Sequence, residues 1–395
     1  MVNFPTFKIE RWMDKYEKKV KYDLAESCAL SINLRELIEL SKLDGEPPLE
    51  QSFIFEESLG YGHINGSTKL RSRIAECYKA SSGITKENVL VTQGAIGANF
   101  LSILGLIQQG DHVVVVSPSY QQLQELPKVF GADVSLWKLK PEERWEHRIE
   151  ELERLLTKKT TLLIINNPNN PTGSSIDTSR LKAICALVRE RASEDAMILC
   201  DEVYSPLWHS VQEDEQVPPS ILELGFDNVL VTGSLSKAYA LAGIRVGWIA
   251  THRKGLLKKF LDIRDYNTIS ISAIDDELAA RALGPKAKAK LLARNIELAR
   301  LNRGILSDWI EGTEGVHWVP AKGGNTALVY LGDGINDEEF CASLCETKGV
   351  NIAPAGLCFG CHGYARIGYV GNTEQLKEGL QHIAKHLESW APSCE

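Results

Sequence analysis

From Asn88 onward, short apolar runs rich in β-branched residues alternate with stretches of helical periodicity. NVLVTQG precedes AIGANFLSILGLI, HVVVVSPSY precedes QQLQELPKVFG, TTLLIINNP precedes TSRLKAICALVRERA, and AMILCDEVY, NVLVTGS and RVGWIAT follow. A strand that is apolar on both faces must be covered on both, and parallel neighbours need a helical crossover. The pattern therefore predicts an α/β fold: a buried, mostly parallel central sheet with helices on both faces. Ligands of such sheets bind beyond the carboxyl ends of the strands. The polar clusters TQGA, SPSY, NNPNNPTG, CDEVY and SLSK all fall at such ends, and their shared position marks a site.

After Asp275 the pattern changes. A helix over 275–283 and a long one over 285–311 lead to short strands in VHWV and NTALVYL, a helix in NDEEFCASLCETKG, a strand in YARIGYV and a last helix over 373–390. This reads as a smaller α+β lobe. At 395 residues the chain exceeds what one core holds. The expected division is a large domain over 46–274, and a small domain made of 275–395 with an N-terminal arm, 1–45. A binding cleft is expected between them.

A net charge of −8, from 44 basic and 52 acidic residues, offers no footprint for nucleic acid or an anionic membrane. GPKAKAKLLARNIELAR, the most basic stretch, reads as a solvated helix face. No segment approaches the ~18 apolar residues of a membrane span, and the first residues lack the apolar core of a signal peptide. With nine cysteines, an odd number, the expectation is a soluble cytoplasmic protein with reduced thiols. Cys358, Cys361 and His362 in CFGCH match a haem-attachment string, and Cys341 and Cys345 are further conceivable ligands. Covalent haem attachment requires export and these cysteines sit in a Gly-rich loop, so no metal or haem is expected.

Lys237, in SLSKAYALAG, follows the strand NVLVT. A buried amine sheds its proton more readily and can condense with an aldehyde, whereas an isolated lysine here would simply snorkel. Asp201 ends the run AMILCD, where a carboxylate needs a cation, such as a protonated pyridine nitrogen, unless it caps a turn. Tyr204 can offer its phenol to a ring oxygen. Asn170 belongs to a turn by composition and carries an amide donor. Gly94, Ala95 and Ile96 open a helix after a strand, where free N–H groups receive an anion. Ser234 and Ser236 flank the lysine with hydroxyls, and Arg245 in GIRVGW adds a fixed charge. Tyr120 either stacks on a flat ring or packs in the core.

Taken in order, GYGHINGSTKLR, VTQGA, SPSY, NNPNNPTG, DEVY, SLSKAYALAGIRVGW and ARIG resemble the class I/II aminotransferases, fold type I enzymes that depend on pyridoxal 5′-phosphate (PLP). The resemblance spans nearly the whole chain. It implies that Lys237 binds the cofactor aldehyde and later moves the Cα proton, that Asp201 pairs with the pyridine nitrogen, and that Tyr204 and Asn170 flank the 3′-oxygen. It gives Tyr120 the stacking position and the phosphate to Gly94, Ala95, Ile96, Ser234, Ser236 and Arg245, with Tyr61 reaching in from a second subunit. Arg366 would clamp the substrate carboxylate, which accounts for a charge inside the apolar YARIGYV, with Asn170 and Glu26 beside the substrate. The implied assembly is a homodimer in which Tyr61 and Thr268 cross the interface, and the implied reaction is transamination of an α-amino acid.

The chain departs from the family pattern in places. Ile96 stands where a hydroxyl or lysine often meets the phosphate, and YDLAESCAL lacks the glycine that usually approaches the substrate carboxylate. LAES is similar to the matching stretch of aminocyclopropane-carboxylate synthases. IRDYNTISIS, together with SLSKAYALAGIRVGW and GGNTALVYL, is similar to capreomycidine synthases. Elimination, replacement or cyclisation of an amino acid is thus the alternative reaction. Asp23 and Glu26 at the entrance would favour a cationic side chain; Arg264 would instead greet a distal carboxylate. A PLP-sensing regulator would need a DNA-binding domain ahead of this fold, and only roughly 45 residues precede the large lobe, so an enzyme is expected.

Overall fold

Three sheets form among residues 3–56, 58–211 and 216–390, the part of the chain that the computed structural model describes. A two-residue strand, β1 (Tyr22–Asp23), comes first. The main sheet takes the next seven: β2 (Val89–Gln93), β3 (His112–Ser117), β4 (Asp133–Lys138), β5 (Thr160–Asn166), β6 (Met197–Asp201), β7 (Val229–Ser234) and β8 (Val246–Thr251). Their order is β2-β8-β7-β6-β5-β3-β4, and only β8 runs against its neighbours.

The continuous apolar runs follow from burial on both faces. In β3, Val114 and Val116 join one core cluster while Val113 and Val115 join the other; in β5, Leu163 and Ile165 oppose Leu162 and Ile164 in the same way. Strand β4, DVSLWK, has no counterpart among the expected strands. It lies at the sheet edge with its first residue exposed, so it never needed apolar residues on both faces.

Five further strands follow: β9 (His317–Trp318), β10 (Thr326–Tyr330), β11 (Val350–Asn351), β12 (Ala353–Pro354) and β13 (Tyr364–Gly368). They make an antiparallel sheet, β12-β13-β10-β9, and a parallel pair, β1-β11. The long helix spans Pro285–Glu311, opened by proline in its first turn and followed by Gly312. Among the described residues no helix is long and apolar enough to cross a membrane.

The segment after β1 straps the second sheet to the first. Leu24 N–H donates to Asn351 O at 2.8 Å, and Leu24 O accepts from Gly368 N–H at 2.7 Å. A Cβ on Gly368 would lie 1.7 Å from the carbonyl oxygen of Glu26, so only glycine permits the strap to cross β13 this closely. Asn325, ahead of β10, then donates its Nδ2 to Ser27 O at 3.2 Å and Lys237 O at 3.4 Å. The strap is thereby held beside the loop that follows β7.

Candidate active site

A cavity of about 350 Å³ opens where β5, β6 and β7 end, bounded by the Gly94–Leu106 helix, the strap and Arg366 of β13. Of the residues expected in the site, Lys237, Asp201, Tyr204, Asn170, Tyr120, Ala95, Ile96, Ser234, Ser236, Arg245, Glu26 and Arg366 all line it.

Lys237 lies three residues past the end of β7, and its Nζ donates to Ser27 Oγ at 2.8 Å and Cys28 Sγ at 3.3 Å. The carboxylate of Glu26 is 3.7 Å away. Burial works against the ammonium, yet Cys28, Tyr204 and Glu26 outweigh it and hold the Lys237 pKa above its usual range. Burial also pushes Cys28 up to about 11, so at neutral pH it is a thiol. The anion acting on Lys237 at that pH is therefore Glu26, itself drawn down to about 2, against its burial, by Lys237 and by the Cys28 and Ser27 groups it bonds. Glu26 accepts from Ser27 N–H at 2.6 Å and Cys28 N–H at 2.9 Å.

Asp201 ends β6 and is 4% exposed. Its carboxylate accepts from Asn99 Nδ2 at 2.9 Å and Val203 N–H at 3.0 Å. Burial pushes its pKa up to about 6, partly offset by those two donors and by Lys237. Asn166, the last residue of β5, donates Nδ2 to Asp201 O at 2.9 Å and accepts Asn170 N–H at 2.7 Å, so one side chain places both neighbours. Asn99 was missed in the sequence; its signal was a lone amide in the apolar helix ANFLSILGLI, with Oδ1 accepting Thr232 Oγ1 at 2.6 Å.

Arg366 is 3% exposed, and among the described residues no carboxylate pairs with it. Nη1 donates to Asn170 Oδ1 at 3.2 Å and Nη2 to Ala25 O at 2.7 Å, and the guanidinium lies 5.4 Å from the Phe359 ring. Its Nε is buried with no hydrogen-bond partner. A guanidinium buried against neutral acceptors alone calls for an anion from outside the protein.

Another part of the cavity wall is also built for an anion. Gly94 starts its helix at φ +70°, and a Cβ there would fill the space 2.7 Å from Arg245 Nη2. The first-turn N–H groups thus face a guanidinium across a gap that only glycine leaves open. Arg245 Nη1 is steadied by Ala242 O at 2.8 Å and Ser236 Oγ at 3.4 Å. Ile96 contributes an exposed apolar side chain, so only its main chain can serve the anion. Tyr120 packs 5.1 Å from Phe7, and its Oη donates to Glu10 Oε1 at 2.8 Å.

Other expected residues lie elsewhere. Tyr61 is 87% exposed and outside this cavity. Thr268 and Arg264 line a second hollow, with Arg264 buried and bonded to Val91 O, so within one chain neither reaches the substrate space. Asp23 does not line this cavity: it lines an adjoining hollow together with Glu26 and accepts from Ala25 N–H at 3.1 Å and Asn351 Nδ2 at 3.0 Å. Burial raises Cys358 and Cys361 to about 12, and His362 is largely exposed. Among the described residues no group of three His, Cys, Asp or Glu side chains is placed to hold a metal ion.

A lysine amine and a buried carboxylate lining one cavity, with an anion cradle at a helix start, fit a flat, phosphorylated pyridine aldehyde. Fold and site define the class of enzymes that hold such an aldehyde on a lysine at the end of a mostly parallel sheet. The chain belongs to the family aminotransferase class I and II, which matches residues 48–383, and it depends on PLP. It is 31% identical to capreomycidine synthase of Streptomyces vinaceus over 98% of this chain and 95% of that protein. A PLP-dependent aminotransferase from Streptococcus suis superposes with a TM-score of 0.89 at 34% identity over 99% of both chains. The PLP-dependent cyclase OrfR superposes with a TM-score of 0.86 at 26% identity over 98% of both.

Proposed function

We propose that the protein is an aminotransferase acting on an α-amino acid, and the observation that carries this is Arg366, buried beside Lys237's cavity with its Nε unsatisfied. Arg366 takes the α-carboxylate, which orients the Cα–H bond toward Lys237. When bound, PLP supplies an electron-withdrawing ring that stabilises negative charge at Cα. Asp201, its carboxylate fixed by Asn99 and Val203, would hold a proton on the pyridine nitrogen. Gly94, Ala95, Ser234, Ser236 and Arg245 would hold the phosphate, Tyr120 would cover the ring, and Tyr204 and Asn170 would bond the 3′-oxygen. Lys237 Nζ, beside Ser27 Oγ, would take the Cα proton and deliver it to the carbon that had been the cofactor's aldehyde.

A second reading, elimination or ring closure on the side chain, is favoured by one observation. Glu26 places a carboxylate 3.7 Å from Lys237, a fixed negative charge that simple transamination does not need. A half-reaction separates the two. Loaded enzyme given one amino acid and no keto-acid acceptor should convert its cofactor stoichiometrically to the amine form; return of the starting spectrum with an altered side chain supports the second reading. No spectral change with any amino acid overturns both.

The assembly we propose is a homodimer. Exposed Phe55, Leu59, Tyr61 and Ile64 run alongside exposed Tyr266 and Ile269, because Gly62 packs so closely that a Cβ there would meet Ile271 O at 2.7 Å. Such a face suits a second copy, with Tyr61 supplying its partner's phosphate site. The division into 46–274 and 1–45 with 275–395 follows the separation of the two larger sheets. Free, mostly buried cysteines suit a reducing cytoplasm.

A further inference from the structure

The charges around the cavity are unevenly shared. Its cations are Lys237, Arg245 and Arg366, and each faces the cofactor or the α-carboxylate that every amino acid carries. Apart from Asp201, its anions are Glu10, Glu17 and Glu26. Among the described residues that line the cavity no cation is left over for an acidic side chain, while carboxylates are in excess.

Two of those carboxylates come from the N-terminal helix, Lys8–Tyr16, whose C-cap Glu17 keeps helical dihedrals. Glu10 and Glu17 are seven residues apart, so they share one helix face about 10 Å apart along the axis. Met13 lies between them on that face, with Ile9 beside it, and both line the cavity. Tyr120 donates a neutral hydrogen bond to Glu10, which leaves its charge uncompensated. Among the described residues the Glu17 carboxylate has neither a hydrogen bond nor an ion pair. Arg366 lines the same cavity, buried and with an unpartnered Nε. The space is thus bounded by a cation without an anion and by anions without a cation.

We propose that the substrate is an amino acid whose side chain ends in a cation, a guanidinium or an ammonium, received by Glu10 and Glu17 while Ile9 and Met13 cover its methylene stem. The inference rests on the reading of the protein as a PLP enzyme with Arg366 on the α-carboxylate. The same carboxylates repel a dicarboxylic substrate, so selectivity comes from both attraction and exclusion.

The test uses the loaded enzyme with arginine, ornithine, citrulline, norvaline and glutamate. The half-reaction rate is read from cofactor absorbance, and a second titration gives the dissociation constant of α-methylornithine, which has no Cα–H to lose. Arginine or ornithine should exceed citrulline and norvaline at least tenfold in kcat/KM, with glutamate poorest. Glu17→Gln should shrink that advantage at least tenfold, mainly through KM, and weaken α-methylornithine by a similar factor. If citrulline or glutamate reacts as well as arginine, or if Glu17→Gln leaves the ratio and the α-methylornithine constant where they were, the side-chain inference is overturned while the enzyme reading stands. If no amino acid alters the spectrum, the enzyme reading falls and takes this inference with it.

Discussion

Replacing Asp201 by asparagine should stabilise the cofactor-free protein and disable the loaded enzyme. Burial raises the Asp201 pKa from 3.8 to about 6. A carboxyl group with a raised folded-state pKa contributes stability that is complete below the unfolded value and is lost as pH climbs through the folded one. At pH 8 the ionised carboxylate therefore costs the cofactor-free protein about 3 kcal/mol, at 1.36 kcal/mol for each tenfold step. The amide can be accommodated. If Asn99, whose Nδ2 now faces Asp201 and whose Oδ1 faces Thr232, turns over, its oxygen meets the new amide and its nitrogen meets the Thr232 hydroxyl. Urea unfolding of cofactor-free parent and Asp201→Asn, followed from pH 4 to pH 8, should show no gain at pH 4 and a gain rising toward about 3 kcal/mol at pH 8. After loading with PLP the variant should lose on the order of 100-fold or more in kcat, because the group that protonates the pyridine nitrogen is gone. A stability difference independent of pH, or near-normal kcat, would refute the placement of Asp201 as an isolated buried carboxylate awaiting a cation.

Arg366→Lys keeps a charge and loses the planar fork, so kcat/KM should fall for every amino acid by a similar factor, roughly thirtyfold or about 2 kcal/mol, with the preference order kept. Gly368→Ala puts a Cβ where the Glu26 carbonyl oxygen stands, 1.7 Å away, and should lower stability by about 3 kcal/mol in urea unfolding while raising KM, since the strap also supplies Ala25 O to Arg366. Glu26→Gln removes an anion that helps hold the Lys237 pKa above its usual range, so more of the amine is neutral at any given pH. Because only the neutral amine attacks an aldehyde, PLP loading of the cofactor-free variant, followed by absorbance, should become faster at pH 7, with its pH profile displaced downward.

The central sheet was legible because burial on both faces forces continuous apolar runs, as in VVVV of β3 and LLII of β5, and a helix as long as Pro285–Glu311 announces its ends through Pro285 and Gly312. Edge strand β4 and two-residue strands such as β11 and β12 carry no such signature, since pairing on one side or over two residues asks little of composition. The polar residues at the strand ends were readable for the same reason as the sheet, and Lys237, Asp201 and Asn170 do converge. What sequence could not show is convergence made by distant segments. Glu10 and Glu17 reach the cavity only because their helix is carried over it, and Asp23, at the end of β1, is held by Asn351 outside it. The fit between Gly368 and Glu26 O joins residues more than 300 positions apart.

Lys237 is the residue on which PLP binding turns. The loaded protein, reduced with borohydride, digested and mapped by mass spectrometry, should carry the reduced cofactor on the peptide containing Lys237, and Lys237→Ala should carry none. A reduced adduct on another lysine, or an adduct that survives Lys237→Ala, would contradict the account.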